Sequence, residues 1–240
     1  MASSNPKRYV DLVRKYGWEI MPRLSALGIQ NLAEAQFLFV DSGATEALDA
    51  DDTVHGYSFL TPLATIDYAI GLCSASEQSV ILVAPGHAES KAASGTLNTC
   101  DVAGVKILGL GEGTLRPTIT LSHTGAVAFA VSVANVVISN IKIVVSVNAV
   151  VKVISVAGAD CRLLDIEVAD DAVTTEAAIG ILTTAAADNL RIERYKHNGF
   201  LAGDTCTEAI SLIGVDRCEI IDSWFRGKFS TAAIQMVTTA

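Results

Sequence analysis

The sequence predicts an all-β fold, a right-handed parallel β-helix of about five to six coils with a helical N-terminal segment and a helix cap. Two series of short apolar segments recur along the 240-residue chain with the same loose period. An amphipathic helical pattern stands in front of both series. Strands laid down at a fixed period are typical of a solenoid, in which each coil packs on its neighbours.

The first series has alternating apolar positions, which predicts short strands with one face in a core. Its middle residues are spaced 31, 25, 29 and 28 apart, and they are Ile107, Ile138, Leu163, Ile192 and Ile220. We expect them to stack inside the coil about 4.8 Å apart. A column of turn residues follows these strands, and its members are Gly109, Asn140, Asp165, Arg194 and Asp222.

The second series aligns on apolar residues that are spaced 24, 28, 31 and 24 apart, namely Val127, Val151, Ile179, Ile210 and Ile234. Two strand series with one shared period indicate a coiling chain. The signature residues of propeller blades and leucine-rich repeats do not occur in either series.

The cap is predicted over residues 61–74, where Thr61-Pro62 would form the helix start and first turn. Its apolar face comprises Leu63, Ile66, Ala69, Ile70 and Cys73. The strand QSVILVAPG follows directly. A helix at this place would cover the first coil, whose backbone groups and core would otherwise be open.

A resemblance to known proteins lies in the run VDSGATEALDADDTVHGYSFLTPLATIDYAIGLCSASEQSVILVAPGHAES. It resembles the start of pectate-lyase-like β-helix proteins and, more narrowly, of β-helix virion proteins of tailed bacteriophages, over residues 39–113. The resemblance implies a non-enzymatic structural protein, a homotrimeric capsid decoration or head-spike protein. Its expected partners are copies of itself and other virion proteins such as the major capsid protein. Its expected location is the virion, after synthesis in the host cytoplasm.

Charge and composition disfavour several classes of function. The net charge is −9, and residues 37–240 carry 12 basic against 23 acidic side chains (17 − 5 and 26 − 3). An acidic body disfavours binding to a phosphate backbone, so no nucleic-acid partner is expected. Asn and Lys interrupt the most apolar stretch, 125–159, and the N-terminus lacks an apolar signal region, so neither a membrane span nor export is expected. Five cysteines without CxxC spacing predict a reduced protein.

The chain divides into residues 1–36, a helical attachment segment, and residues 37–240, the β-helix domain. The N-terminal helices either pack on the β-helix itself or bind a larger assembly, and both alternatives stay open. The candidate assembly residues are Tyr9, Val13, Trp18, Ile20, Leu24, Trp224 and Phe225.

Two further patterns predict oligomerisation. Between Ala126 and Ala159 the charged residues are Lys142 and Lys152, so we expect an apolar flank that pairs copies of the chain. The final segment, MVTTA, resembles one strand of a new coil. We expect another copy or a partner protein to cover it.

The alternative function is that of a tailspike-like protein that degrades or binds polysaccharides, with host surface glycans as ligands. Its candidate carboxylates are Asp165, Glu167 and Asp222, because glycoside hydrolysis needs two carboxyl groups at a set separation. A structural ladder of alternating charges explains the same residues, and we prefer it. No cofactor or metal is predicted. Calcium would need one of two acidic groups that lack EF-hand spacing, Glu167, Asp170 and Asp171, or Asp41, Asp49, Asp51 and Asp52.

Overall fold

The computed structural model describes residues 23–25, 28, 35–75, 78–201 and 206–238. They form a parallel β-solenoid of about six coils with three parallel sheets and little helix, which confirms the predicted fold class. Each of six coils contributes one strand to each sheet in the order A, B, C, and one further strand precedes them in sheet A. The hydrophobic core lies between the sheets.

Each strand lies within one coil and belongs to one of the three sheets. Sheet A consists of β1 (Gln36–Val40), β2 (Ser79–Val83), β5 (Lys106–Gly109), β8 (Val137–Ser139), β11 (Arg162–Leu164), β14 (Arg191–Glu193) and β17 (Glu219–Ile221). Sheet B consists of β3 (Ala88–Lys91), β6 (Thr118–Leu121), β9 (Lys142–Val145), β12 (Glu167–Asp170), β15 (Lys196–Asn198) and β18 (Trp224–Arg226). Sheet C consists of β4 (Gly95–Cys100), β7 (Ala126–Val131), β10 (Ile154–Val156), β13 (Ile179–Thr183), β16 (Cys206–Ile213) and β19 (Phe229–Val237).

The first predicted series is the inward column of sheet A. Ile107 pairs with Ile138, which pairs with Leu163 in the next coil. Ile192 and Ile220 continue the column. The predicted register of this sheet is therefore confirmed at every position.

Four of the five segments of that series contain parts of two strands rather than one, and the first segment contains only β5. A two-residue corner separates the sheet A strand from the sheet B strand in four coils, and its first residue is left-handed. The φ angles are 57° at Asn140, 53° at Asp165, 53° at Arg194 and 49° at Asp222. Asn and Asp tolerate this conformation because their short side chains can form hydrogen bonds with nearby backbone groups, whereas an Arg backbone is strained there. Four of the five predicted turn residues are thus corner residues, whereas the prediction was wrong for Gly109, which is the last residue of β5.

A second column of left-handed residues lies two residues before the start of four sheet A strands. Its non-glycine members are Asn135, Asp160, Asn189 and Arg217. Backbone bonds join successive coils here too, as in the 2.9 Å bond from the Asn135 N–H to the Ala159 carbonyl oxygen. Both ends of each short sheet A strand are therefore fixed, which gives this sheet its constant register.

The second predicted series was only partly right. Ile210 and Ile234 do pair, but the inward column continues through Ile181, Ile154 and Phe129. The predicted members Val127, Val151 and Ile179 are displaced from it by two or three residues. Val151 lies in the loop before β10 and is exposed. A loop of variable length separates sheets B and C, so the spacing of apolar residues does not fix the register of sheet C.

The helix cap exists but is shorter than predicted. Helix α1 spans Ile66–Gly71, and Thr65, rather than Thr61-Pro62, is its N-cap. The Thr65 hydroxyl accepts a 3.3 Å bond from the Tyr68 N–H. The Asp49 carboxylate accepts bonds from the backbone N–H groups of Ala64 and Thr65 at 2.8 and 3.0 Å. Ile66, Ala69 and Ile70 are buried against the first coils, as expected of a cap.

The described part of the N-terminal segment packs on the outer face of sheet A. Leu24 is fully buried in a second apolar cluster with Phe37, Phe39 and Leu82. Leu24 therefore has no exposed surface for contact with another protein. The other N-terminal assembly candidates, Tyr9, Val13, Trp18 and Ile20, lie outside the described residues.

The surface differs from the predicted apolar flank. Within residues 126–159, all of which the structure describes, Val151 is the one exposed large hydrophobic side chain. The other valines of this stretch face the core or are partly covered because the three-sided coil turns most side chains inward. In the last coil, Trp224 is 47% exposed and Met236 is 73% exposed. Phe225 is half-buried against Tyr195.

Candidate functional site

A groove of about 510 Å³ runs along the corner between sheets A and B. Its floor is the outer column of sheet A, in which Leu108, Ser139 and Leu164 are paired neighbours. The corner residues Asn140, Asp165 and Arg194 form one side, and the remaining lining residues are Arg23, Glu112, Gly113, Arg116 and Lys196. The size suits a small molecule, since ligand pockets of proteins range from about 300 to 1,000 Å³.

The groove exists because one corner is longer than the others. Residues 110–117, which include a 3₁₀ turn at Gly113–Leu115, connect β5 to β6 and stand beside the sheet. At the next coil the corner is so tight that a Cβ on Gly109 would lie 2.1 Å from the Asn140 carbonyl oxygen. The Asn140 side-chain amide donates to the carbonyl oxygens of Gly109 and Gly111 at 2.8 and 3.0 Å, which holds the long corner in place.

Asp165 and Arg194 form a two-pronged ion pair on the corner column. Arg194 Nε lies 2.6 Å from Asp165 Oδ1, and Nη2 lies 2.8 Å from Oδ2. The bond to Asp165 raises the pKa of the Arg194 guanidinium, and Asp222 in the following coil adds to the effect. The ladder of opposite charges expected from the sequence therefore holds for Asp165 and Arg194. Both side chains are partly exposed, so the pair contributes at most about 1 kcal/mol to stability.

Glu167 lies on the outer face of sheet B between two basic residues. Arg116 Nη1 is 3.3 Å from Glu167 Oε2, and Lys196 Nζ is 3.7 Å from Oε1. Arg116 also donates to the backbone carbonyl oxygen of Asp165, while its buried Nε has no partner among the described residues. Burial lowers the pKa of Arg116, and Glu167 and Asp165 counteract this effect. Two cations thus share one carboxylate at distances longer than those of strong ion pairs, about 2.7–2.9 Å.

The structure brings two of the three candidate catalytic carboxylates to this groove. Asp165 lines it, and Glu167 contacts two of its lining residues. Asp222 is not among the lining residues and lies two coils after Asp165. Trp224 lies beside the groove, with Lys196 Nζ 5.5 Å from the centre of its ring.

Comparison of the chain with protein-family models, with curated proteins and with solved structures finds no match.

In the acidic loop that was one candidate for calcium, the carboxylates of Asp41, Asp49 and Asp52 accept hydrogen bonds from backbone N–H groups. Asp49 binds the start of α1, and Asp41 accepts a 3.0 Å bond from the Gly43 N–H. Bonds from His55 and Val54 hold the pKa of Asp52 at about 2. Within the described ranges, no three His, Cys, Asp or Glu side chains are grouped closely enough to hold a metal ion. No helix of the described residues is long and apolar enough to span a membrane.

A second group of ionisable side chains lies inside the last coils. His197 occupies the inward column of sheet B, between Val168 and Phe225. Its Nδ1 lies 3.2 Å from the hydroxyl oxygen of the fully buried Tyr195, and burial lowers the His197 pKa to about 4. Asp170 ends β12, and burial together with the nearby Glu176 carboxylate raises its pKa to about 7.

These two groups should give opposing pH dependences. Between pH 4 and 6.5 the unfolded chain protonates His197 and the native state does not, so native stability falls as pH decreases. Between pH 3.8 and 7 the native state keeps Asp170 protonated and the unfolded chain does not, so stability falls as pH increases. The two contributions offset each other in the shared range.

Asp170→Asn should therefore expose the His197 contribution. In urea unfolding from pH 4 to 6.5, its free energy of unfolding should rise with pH more steeply than that of the wild type, by up to about 1.4 kcal/mol per pH unit. In His197→Gln, the free energy of unfolding should instead fall with pH relative to the wild type, because only the Asp170 contribution remains. Identical slopes in all three proteins would contradict the assignment.

Sequence reasoning missed most of the groove. Arg23 and Arg116 lie in segments without a repeat, so no pattern marks them. The contact between Glu167 and Lys196 could have been predicted, because their 29-residue separation equals that of the corner residues Asp165 and Arg194. Recognition of sheet B as a separate sheet would have shown it.

Proposed function

We propose that this chain is a structural protein of a larger assembly and docks onto another protein through its capped end. On the resemblance of residues 39–113, the assembly is a tailed-phage virion and the chain is a homotrimeric capsid decoration or head-spike protein. The observation that carries the proposal is that three aliphatic side chains of the loop before the cap are exposed, and we call them the cap loop patch. Its members are Leu48, Val54 and Leu60, which are 52%, 52% and 82% exposed.

The patch belongs to a loop that is fastened at several points. Asp52 accepts 2.7 Å bonds from the backbone N–H groups of Val54 and His55. The Thr61 hydroxyl donates a 3.0 Å bond to the Val54 carbonyl oxygen. A loop fixed in this way presents its exposed aliphatic side chains in one arrangement, which favours their use as a contact surface.

The charge around the patch favours a different protein over a second copy. Residues 41–60 contain five acidic side chains and no Lys or Arg. Copies of a chain with net charge −9 would oppose each other here, whereas a basic surface would be attracted. We infer a partner with an apolar centre and a basic rim, and in a virion the major capsid protein is the first to test.

The test is co-sedimentation of the purified protein with capsids of the phage whose genome encodes it, alongside light scattering. Wild type should bind, more weakly at high salt. Val54→Ser with Leu60→Ser should reduce affinity at least about tenfold, because about 1.5 kcal/mol or more is lost for each buried aliphatic side chain.

Val151→Ser is the matched control, since it removes an exposed aliphatic side chain away from the cap. It should bind like the wild type. A protein that stays monomeric and does not sediment with capsids would overturn the proposal. Equal loss of binding in Val151→Ser would overturn the role of the cap loop patch.

The polysaccharide hypothesis retains one supporting observation, the position of Asp165 and Glu167 at the groove. Both carboxylates are engaged by basic side chains, which favours sugar binding over acid catalysis, since a catalytic acid needs a raised pKa. Incubation with host capsular or lipopolysaccharide sugars tests it. Depolymerisation by the wild type that Asp165→Asn or Glu167→Gln abolishes would establish an enzyme. Intact sugars after incubation would exclude one for those substrates.

A further inference from the structure

We propose that copies of this chain associate through the outer face of sheet C. The homotrimer of the proposed function has no assigned contact surface, and the assignment of sheet C rests on that self-association. The cap loop patch belongs to a different segment, so docking through it is tested separately.

The strands of sheet C, all within the described residues, are almost free of charge. One of their 37 residues, Glu208, is Asp, Glu, Lys or Arg, whereas 5 of 26 are in sheet A and 7 of 22 are in sheet B. In the whole chain the charged fraction is 18%. Depletion of charged residues is the compositional sign of the centre of a protein interface. Of the three faces of the solenoid, sheet C therefore suits contact with a protein best.

The single charge of these strands is largely withdrawn from the surface. Glu208 is 6% exposed. In the amide orientation that satisfies both groups, the Gln235 side chain in the next coil donates to both oxygens of the Glu208 carboxylate. Glu208 therefore does not place an open charge on the face.

The outer face of sheet C is open and consists mostly of short side chains. Ala130, Ser155 and Leu182 are register neighbours in three successive coils. Each is partly exposed and lies between two buried residues of its own strand, so each points outward. Ser211 and Gln235 continue this column in the next two coils. Short side chains lose little conformational entropy on contact, which favours close packing of one such face on another.

A second copy of the chain is the partner that this face fits. The net charge of −9 makes copies repel each other, and residues 41–60 alone carry five acidic side chains. Contact through sheet C brings no open strand charge of one copy against another. A strongly charged partner, in contrast, would lose its hydration here without gaining a countercharge. The face is therefore complementary in charge to its own copy.

The face is also large enough for a stable contact. It contains six strands. At about 4.8 Å between strands, and with about six residues per strand at about 3.3 Å each, it covers roughly 29 Å by 20 Å. Two copies in contact would bury roughly 1,100 Å², and specific interfaces need about 1,000 Å² or more.

Light scattering of the full chain measures the number of copies, and a charge placed on the face tests where they meet. Wild type at about 0.1 mM should have a mass that is a multiple of 25.1 kDa. Leu182→Glu should weaken association at least about 100-fold, because like charges opposed across an interface are strongly unfavourable. Ser155→Lys adds a charge without removing an aliphatic side chain and should have the same effect.

Leu115→Glu is the matched control, because Leu115 is 57% exposed in the corner between sheets A and B. It should associate like the wild type, and circular dichroism checks that each variant is folded. A wild-type oligomer that persists in folded Leu182→Glu or Ser155→Lys would overturn sheet C as the contact face and leave the homotrimer standing. Equal dissociation of Leu115→Glu would also overturn the assignment.

A wild type that stays at 25.1 kDa would overturn both the homotrimer and its contact face. If such a monomer sediments with capsids and Leu182→Glu does not, sheet C contacts a different protein instead of a second copy. Capsid binding that depends on Val54 and Leu60 but not on Leu182 would leave the cap loop patch as the docking surface.

Discussion

Phe129→Ala is expected to lower the free energy of unfolding by about 3–5 kcal/mol, the usual cost of removing a large aromatic side chain from a packed core. Phe129 is fully buried in the inward column of sheet C, where it pairs with Ile154. Backbone hydrogen bonds of the sheets hold the neighbouring coils in place, so these coils cannot move inward to fill the cavity that the missing ring leaves. Equilibrium unfolding in urea measures the loss.

Val151→Ala is the comparison for Phe129→Ala, because the apolar spacing of the sequence places Val151 in the core and the structure does not. Val151 is 58% exposed, and truncation should change stability by no more than about 0.5 kcal/mol. A large loss at Val151 with a small one at Phe129 would show that the observed register of sheet C is wrong.

Gly158→Ala should be nearly as harmful as the loss of Phe129, although it adds a single carbon. A Cβ at Gly158 would lie 1.8 Å from the Val133 carbonyl oxygen in the preceding coil. The two coils would have to separate, at the expense of the neighbouring 2.9 Å bond from Asn135 to Ala159. We expect a loss of about 3 kcal/mol, the upper range for overpacking, or failure to accumulate as soluble protein.

Gly71→Ala, in contrast to Gly158→Ala, should not lower stability, because a Cβ at Gly71 has open space around it. No atom would lie within 4 Å of a Cβ there, and Gly71 is the last residue of α1. Alanine should be neutral or stabilise the cap by up to about 1 kcal/mol, since it restricts the unfolded chain. Thermal unfolding of both variants separates a steric effect from a general effect of replacing glycine. Equal melting temperatures would refute the close approach at Gly158.

The sequence predicted the register of sheet A from β5 to β17 and that of sheet C only in part, for a physical reason. Sheet A strands are bracketed by left-handed residues such as Asp160 and Asp165, so their apolar positions repeat without slippage. In β7 most residues on both faces are buried, so alternation does not reveal which residues face inward. The groove escaped prediction because Arg116, which lines it and contacts Glu167, lies in a loop outside the repeat.

The two-residue corners have a consequence for tolerance to insertions. The corner from β11 to β12 cannot lengthen without breaking backbone hydrogen bonds to the coils on both sides. The Asp165 N–H donates to the Glu193 carbonyl oxygen in the next coil, and the Asn140 N–H of the preceding coil donates to the Leu164 carbonyl oxygen. The opposite corners, at residues 146–153 and 171–178, already hold eight residues each. Foreign peptides should be accepted there and rejected at Asp165. The solenoid therefore has one edge, between sheets A and B, at which insertions disrupt the fold, and one edge, between sheets B and C, at which insertions are tolerated.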